Sequence, residues 1–310
     1  MDVAAPPPPA AEPVLHVQRP TAGPLHVKQV SSSPLSDDEE GVAGPAVVVG
    51  IANQKGGVGK TTTAVSLAAA LADLGRRVLL VDMDPQGNAS SALGIDRTAL
   101  KTTVYDVLVD DQPVETAFVD TDVARLTVVP ATIDLAGAEI ELVNAFSREQ
   151  KLRRALEPVR DRFDVVLIDC PPSLGLLTIN VLSAADGLVV PVQAEYFALE
   201  GLGALDRNVQ LIRSQLNPGL RITGFVLTML DARTRLTEQV VAEVERHYGE
   251  WVFRTRIPRS VRLAEAPGFG QPITLFDPTS RGALAYVRLA RELLDRLASA
   301  DADSERGGHA

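Results

Sequence analysis

A chain of 310 residues with 45% hydrophobic content is long enough to bury a large core, and suits one sizeable α/β domain with tails. Its lone cysteine, Cys170, excludes an internal disulfide and a cysteine-ligated iron–sulfur or zinc site within one chain. The formal charge of −10 argues against nucleic acid at first sight, yet two basic and six acidic residues give the first 45 positions a net −4, and the last ten add −2. The remainder is only weakly acidic and leaves room for a basic face.

Residues 1–45 are rich in Pro, Ala and Ser, carry an acidic cluster at Asp37–Glu40, and lack apolar periodicity. They are expected to form a disordered tail, either solubilising or a docking segment for a polar or scaffold partner. The N-terminus opens with an aspartate and prolines where a signal peptide would be basic and then apolar, and no apolar run approaches the roughly 20 residues of a membrane span. A cytoplasmic protein is expected.

Ala46 to Ala52 reads as a strand and Thr63 to Leu74 as a helix, joined by Gln54-Lys55-Gly56-Gly57-Val58-Gly59-Lys60-Thr61-Thr62. Glycines let successive N–H groups turn into one concavity, and the helix that follows adds its unpaired amides. A polyphosphate such as that of ATP fits there. Lys60 can reach the β- and γ-phosphates, and the Thr61 hydroxyl can ligate the bridging Mg²⁺. The usual phosphate-loop pattern has glycine where Gln54 stands, so this is a variant, with a second lysine, Lys55, inside the loop.

Val78–Asp82 is a further buried strand, and Asp82-Met83-Asp84-Pro85-Gln86-Gly87-Asn88 places two carboxylates and a sharp turn beyond its end. Read by itself, Asp84 there can cap the turn ahead of Pro85. Leu126–Val129 reads as a short strand, and Asp134 to Leu156 as one or two amphipathic helices with Ile140, Val143 and Phe146 at helical spacing. Phe163–Asp169 is another apolar strand ending in a carboxylate, followed by Cys170-Pro171-Pro172. That Walker B pattern sets Asp169 in the Mg²⁺ shell, through water, or beside Thr61. Strands at Gly187–Pro191 and Ile222–Thr228, with a helix at Glu200–Leu216 between them, complete a mostly parallel sheet with helices on both faces.

From Trp251 to Arg262 there are four arginines, Arg254, Arg256, Arg259 and Arg262, and no acid; Arg233 and Arg235 lie upstream. Such a cluster suits a phosphate backbone without base readout. The closing helix, Gly282 to Leu297, carries Val287, Ala290, Leu293, Leu294 and Leu297 on one side and mixed charge elsewhere, which suits core packing better than anionic lipid. The expected organisation is a tail at 1–45, a nucleotide-binding domain at 46–298 and a polar tail at 299–310.

Lys55 to Thr62 resembles the deviant Walker A box of the ParA/Soj/MinD ATPases, and Asp82 to Asn88 is similar to the motif that follows the second strand in the ParA branch. Leu230-Asp231-Ala232-Arg233-Thr234 and Ile257 to Pro267 resemble the chromosomal Soj/ParA type. The resemblance spans roughly Val47 to Leu297. It implies a chromosome or plasmid partitioning ATPase of the P-loop NTPase fold, with ATP and Mg²⁺ as cofactors. Lys55, Lys60 and Asp84 would be catalytic, with Asp84 acting on the attacking water and Asp82 in the phosphate–metal neighbourhood. Gly56, Gly57, Val58, Gly59 and Thr62 join Lys55, Lys60 and Thr61 around the phosphates; Met229 and Pro258 would border the adenine. Arg233 and Arg262, with Arg235 and Arg259 as further candidates, would hold non-specific double-stranded DNA.

The implied cycle is an ATP-bound sandwich homodimer, in which Lys55 reaches the phosphates of the other subunit. It binds DNA on the nucleoid and is reset by hydrolysis that a ParB-type partner stimulates. Two rivals share the loop: a MinD-like membrane-associated positioning ATPase, and a metabolic phosphate-transfer enzyme similar to dethiobiotin synthetase. An iron–sulfur ATPase of the nitrogenase-reductase type is excluded by the single cysteine unless clusters are bridged between many subunits.

Overall fold

The computed structural model describes residues 44–195, 198–231 and 235–307. The N-terminal tail expected before Pro45 falls almost wholly outside them, as does Arg233. The Ala46 N–H donates to the Arg160 carbonyl, and the Ala46 carbonyl accepts from the Arg160 guanidinium at 2.7 and 3.0 Å.

In chain order the elements are β1 (Val47–Ile51), α1 (Lys60–Asp73), β2 (Val78–Asp82), α2 (Asn88–Ala92), α3 (Val104–Val109), β3 (Val119–Asp120), β4 (Leu126–Val129), α4 (Leu135–Glu141) and α5 (Lys151–Leu156). There follow β5 (Val165–Asp169), α6 (Leu176–Ala184), β6 (Gly187–Gln193), α7 (Ala198–Gln215), β7 (Arg221–Thr228), α8 (Arg235–Tyr248), α9 (Val261–Glu265), α10 (Ile273–Phe276) and α11 (Arg281–Gly307). The strands lie in the order β3-β4-β2-β5-β1-β6-β7, and every pairing except β3 with β4 is parallel.

Strands covered on both faces need apolar side chains at every position, which is why β2 and β5 read as unbroken runs. Leu79 and Val81 face one layer, with Leu135, Val181 and Leu205; Val78 and Leu80 face the other, with α1 and α11. Helix α1 is buried nearly all round, so alanine dominates it and lets α11 approach closely. The stripe of α11 that meets it is Tyr286, Leu289, Ala290, Leu293 and Leu297, and the Tyr286 hydroxyl lies 3.2 Å from that of Thr63. This packing uses the apolar face that a membrane-binding helix would present. Among the described residues, no helix is long and apolar enough to cross a membrane.

Two expectations are corrected. Residues 134–156 form two short α-helices, in line with the expected one or two, with 3₁₀ turns between them at 142–144 and 148–150, but the buried face is not the expected one. Ile140 and Phe146, placed on the apolar face by their spacing, are 77% and 96% exposed, and Val143 is exposed as well. The core contacts are made instead by Leu135, Ala138 and Leu142, which share one side of the helix (i, i+3, i+7), while Ile140 and Val143 fall on the other; the chain leaves the helix at Ala145, before Phe146, and Ser147 lies in the left-handed region. The closing helix also continues through 299–307, into the stretch expected to be a polar tail, since Ala298 to Arg306 contains no helix breaker. The short antiparallel β3 was not foreseen; two residues are too few to show a period.

Another feature hidden in the sequence is Arg296. Its guanidinium donates to the carbonyls of Thr223, Glu250, Trp251 and Val252 at 2.9–3.2 Å and sits 4.1 Å from the Phe253 ring centre, tying α11 to the segment after α8. The Arg296 side chain is 22% exposed. Arg296→Ala strands several acceptors, and the expected result is a loss of about 2–4 kcal/mol in urea unfolding. Arg296→Lys recovers little of it, since one ammonium cannot span a planar set of acceptors.

Candidate nucleotide site

All the loops expected to carry chemistry leave the carboxyl edge of the parallel sheet, where α/β folds open a crevice. Ile51 pairs with Asp169 and Asp82 with Asp169, so the ends of β1, β5 and β2 lie side by side. The loop after β1 is held in shape by Gly57 at φ 75° and by Gly59 at φ 87°, a conformation that a side chain resists, just before α1 begins at Lys60. Its backbone is tied on three sides. The Asn53 amide donates to the Pro191 carbonyl at 2.7 Å, Asn53 Oδ1 accepts from Lys55 N–H at 2.9 Å, and the Thr228 hydroxyl donates to the Val58 carbonyl at 2.8 Å.

Lys60 is buried, and its ammonium donates to the Lys55 carbonyl at 3.1 Å. Burial lowers its pKa, while the fields of Asp169, Cys170 and Asp84 act the other way. Asp169 is fully buried and neither carboxylate oxygen has a hydrogen-bond partner. Burial pushes its pKa well above the usual carboxylate range, and the charge of Asp82 adds to this; Thr61 and Lys60 oppose it. An orphaned carboxylate at this depth is costly on its own and suits a site completed by a cation and its water. Cys170 is buried, and burial raises its thiol pKa, so it is an inert small hydrophobe.

Asp82 and Asp84 each hold part of the loop that follows β2, and Asp82 lies beside Asp169. The Asp82 Oδ2 accepts from the N–H and hydroxyl of Ser90 at 2.9 and 2.7 Å, and its Oδ1 accepts from the Asp84 N–H at 3.2 Å. Asp82 therefore braces the loop and the start of α2, with burial raising its pKa to about 6. Asp84 accepts from the Gln86 N–H through Oδ1 at 2.9 Å, leaving its second oxygen uncommitted. Its capping role and a role toward water are thus compatible. Gly87 (φ 61°) closes this turn; a Cβ on it would lie 2.7 Å from the Ala131 carbonyl oxygen, and the Arg97 guanidinium donates to the Gln86 carbonyl at 2.6 Å. Sequence reading missed Ser90 and Arg97, which carry no motif and act only through contacts across the fold.

Met229 and Pro258 come together beside the phosphate loop. Met229, at φ 53°, reaches its methyl group to within 3.6 Å of where a Gly59 Cβ would be, and the next residue, Leu230, forms a parallel bridge with Pro258. Among the described residues, two of the candidate-segment arginines are already in ion pairs. Arg262 donates to Asp277 at 2.9 Å and Glu265 at 3.1 Å and lies 4.8 Å from the Phe276 ring centre. Arg256 pairs with Glu245, Arg259 is exposed, and Arg235 opens α8.

A phosphate-type loop, a buried lysine and an unpartnered carboxylate on the carboxyl edge of a parallel sheet define a P-loop nucleotide-binding protein. A family model described as an AAA domain matches residues 46–222. The sporulation initiation inhibitor protein Soj of Bacillus subtilis is 58% identical over 246 residues, covering 79% of this chain and 97% of Soj. The chromosome partitioning protein ParA of Caulobacter vibrioides is 53% identical over 256 residues, covering 82% of this chain and 96% of its own. A crystal structure of cobyrinic acid a,c-diamide synthase from Mycobacterium smegmatis with bound ADP and magnesium superposes with a TM-score of 0.73 at 42% identity, covering 82% of this chain and 96% of that one. The chain belongs to the Soj/ParA family of chromosome-partitioning P-loop ATPases.

Proposed function

We propose that this ATPase binds ATP with Mg²⁺ in the loop from Lys55 to Thr62, forms a sandwich homodimer across the nucleotides, and in that state holds double-stranded DNA without reading its sequence. Hydrolysis, stimulated by a ParB-type partner, resets it. The protein would work in the cytoplasm on the nucleoid, and the N-terminal tail at 1–45 would solubilise the chain or dock a polar or scaffold partner. The observation that carries this reading is that one sheet edge gathers a buried cation, Lys60, an outward cation, Lys55, and a carboxylate without a partner, Asp169.

Bound Mg²⁺ would neutralise phosphate charge, held by the Thr61 hydroxyl and, through water, by Asp169. Lys60 and the loop amides from Gly56 to Thr62 bind and orient the phosphates, Met229 and Pro258 wall the base, and Asp84 positions or deprotonates the attacking water. Lys55 adds its charge only when a second subunit presents phosphates, which ties hydrolysis to assembly. The MinD-like alternative loses support from the packing of α11 on α1.

The test is binding of wild type and of Arg233→Ala/Arg262→Ala to random-sequence duplex DNA with ATP, ADP or no nucleotide, across a salt series. Binding is expected in ATP alone, with a log–log salt slope of about −0.9 per phosphate contacted that becomes shallower in the double variant. Binding that ignores the nucleotide, with the variant equal to wild type, would remove the DNA-carrier reading.

A further inference from the structure

Lys55 is already engaged within its own chain. Its ammonium donates to Glu195 Oε2 at 2.5 Å, across 140 positions of sequence. The two residues follow β1 and β6, which pair directly through Ile51 and Val189. The main chain at Lys55 is fixed from both sides: its N–H donates to Asn53 Oδ1, its carbonyl accepts from Lys60, and Asn53 is itself anchored on β6 at Pro191. Only the Lys55 side chain is left to change partners. The side chains of Lys55 and Glu195 are 38% and 48% exposed, so an acceptor arriving from outside can reach the ammonium without rearranging the loop.

We propose that Glu195 is a positioning residue that parks Lys55 in the single subunit, so that the phosphates of a second copy must compete with Glu195 for the ammonium. The proposal rests on the dimer reading above and adds a threshold to it. A polyphosphate offers more negative charge than one carboxylate and wins the competition, but each parked lysine must first be released. An exposed ion pair shifts an equilibrium by only about 1.5- to 5-fold. Two such pairs open per dimer, so the combined effect is about 2- to 25-fold. A bond of this strength restrains assembly at low ATP occupancy and stays reversible. Salt weakens it further by screening.

Glu195→Gln keeps the size and polarity and removes the charge. In the nucleotide-free protein, acylation of Lys55 by an amine-reactive ester, quantified by peptide mass spectrometry, is expected to run several-fold faster in the variant; equal rates overturn the contact in solution. With ATP, the dimer dissociation constant from light scattering is expected to fall by about 2- to 25-fold, with Glu195→Asp between the variant and wild type. A dimer of unchanged or weaker affinity overturns the proposal, and a weaker one makes Glu195 part of the dimer contact itself. If wild type stays monomeric in ATP while the labelling responds, the dimer reading fails and the threshold falls with it. If wild type dimerises and Glu195→Gln leaves both readouts unmoved, the parking role alone fails.

Discussion

Replacing Asp84 by alanine is expected to lower ATP turnover by about two to four orders of magnitude while nucleotide binding persists, leaving an ATP-bound dimer that stays on DNA. The loss follows from position. Asp84 is buried at the carboxyl edge, close enough to Lys60 and Asp169 to act on their protonation, and one of its oxygens is uncommitted. The other oxygen caps the turn at Gln86, so alanine also removes a brace from the loop. Asp84→Asn separates the two roles. The amide oxygen can still accept from the Gln86 N–H but is a far poorer base, so the asparagine variant should be as slow as the alanine variant. Single-turnover hydrolysis measures this, and recovery of turnover in Asp84→Asn would reduce Asp84 to a cap.

Lys55→Ala should bind nucleotide and fail to dimerise in ATP, whereas Lys60→Ala should fail to bind nucleotide. The contrast comes from where the two ammonium groups lie. Lys60 is buried within its own loop and faces Asp169; Lys55 is directed outward, where its partner within the chain is the exposed Glu195. Losing a charge that is buried only on assembly costs about 2–5 kcal/mol per site, and each dimer loses two. Light scattering in ATP against ADP reads the first effect and equilibrium dialysis the second. A Lys55→Ala dimer as stable as that of wild type would refute the trans role.

The phosphate loop was legible because its chemistry is local: three glycines and two lysines between a strand and a helix specify one backbone shape and one kind of ligand. The buried strand β2 matches the expected Val78–Asp82 for a related reason, since burial on both faces demands an unbroken apolar run, and β4 matches Leu126–Val129 with the single half-buried Thr127 within it. Asp169 was found through its position at the end of such a run. Ile140, Val143 and Phe146 misled because their helical spacing suggests a buried face, while the core is met by the other apolar stripe, Leu135, Ala138 and Leu142, and the helix ends at Ala145. Local periodicity cannot register which of two apolar stripes the rest of the fold covers.

The sequence by itself determined the α/β architecture, the phosphate-binding loop, and the candidate carboxylates at strand ends, because each depends on residues close together in the chain. Only the tertiary structure decided that Asp82 braces Ser90 and the Asp84 loop, that Asp169 is left without a partner, that Arg262 already holds two carboxylates, and that Glu195 meets Lys55. These outcomes depend on which strand ends the parallel sheet brings side by side. A contact between residues 140 positions apart leaves no trace in either one's neighbours along the chain.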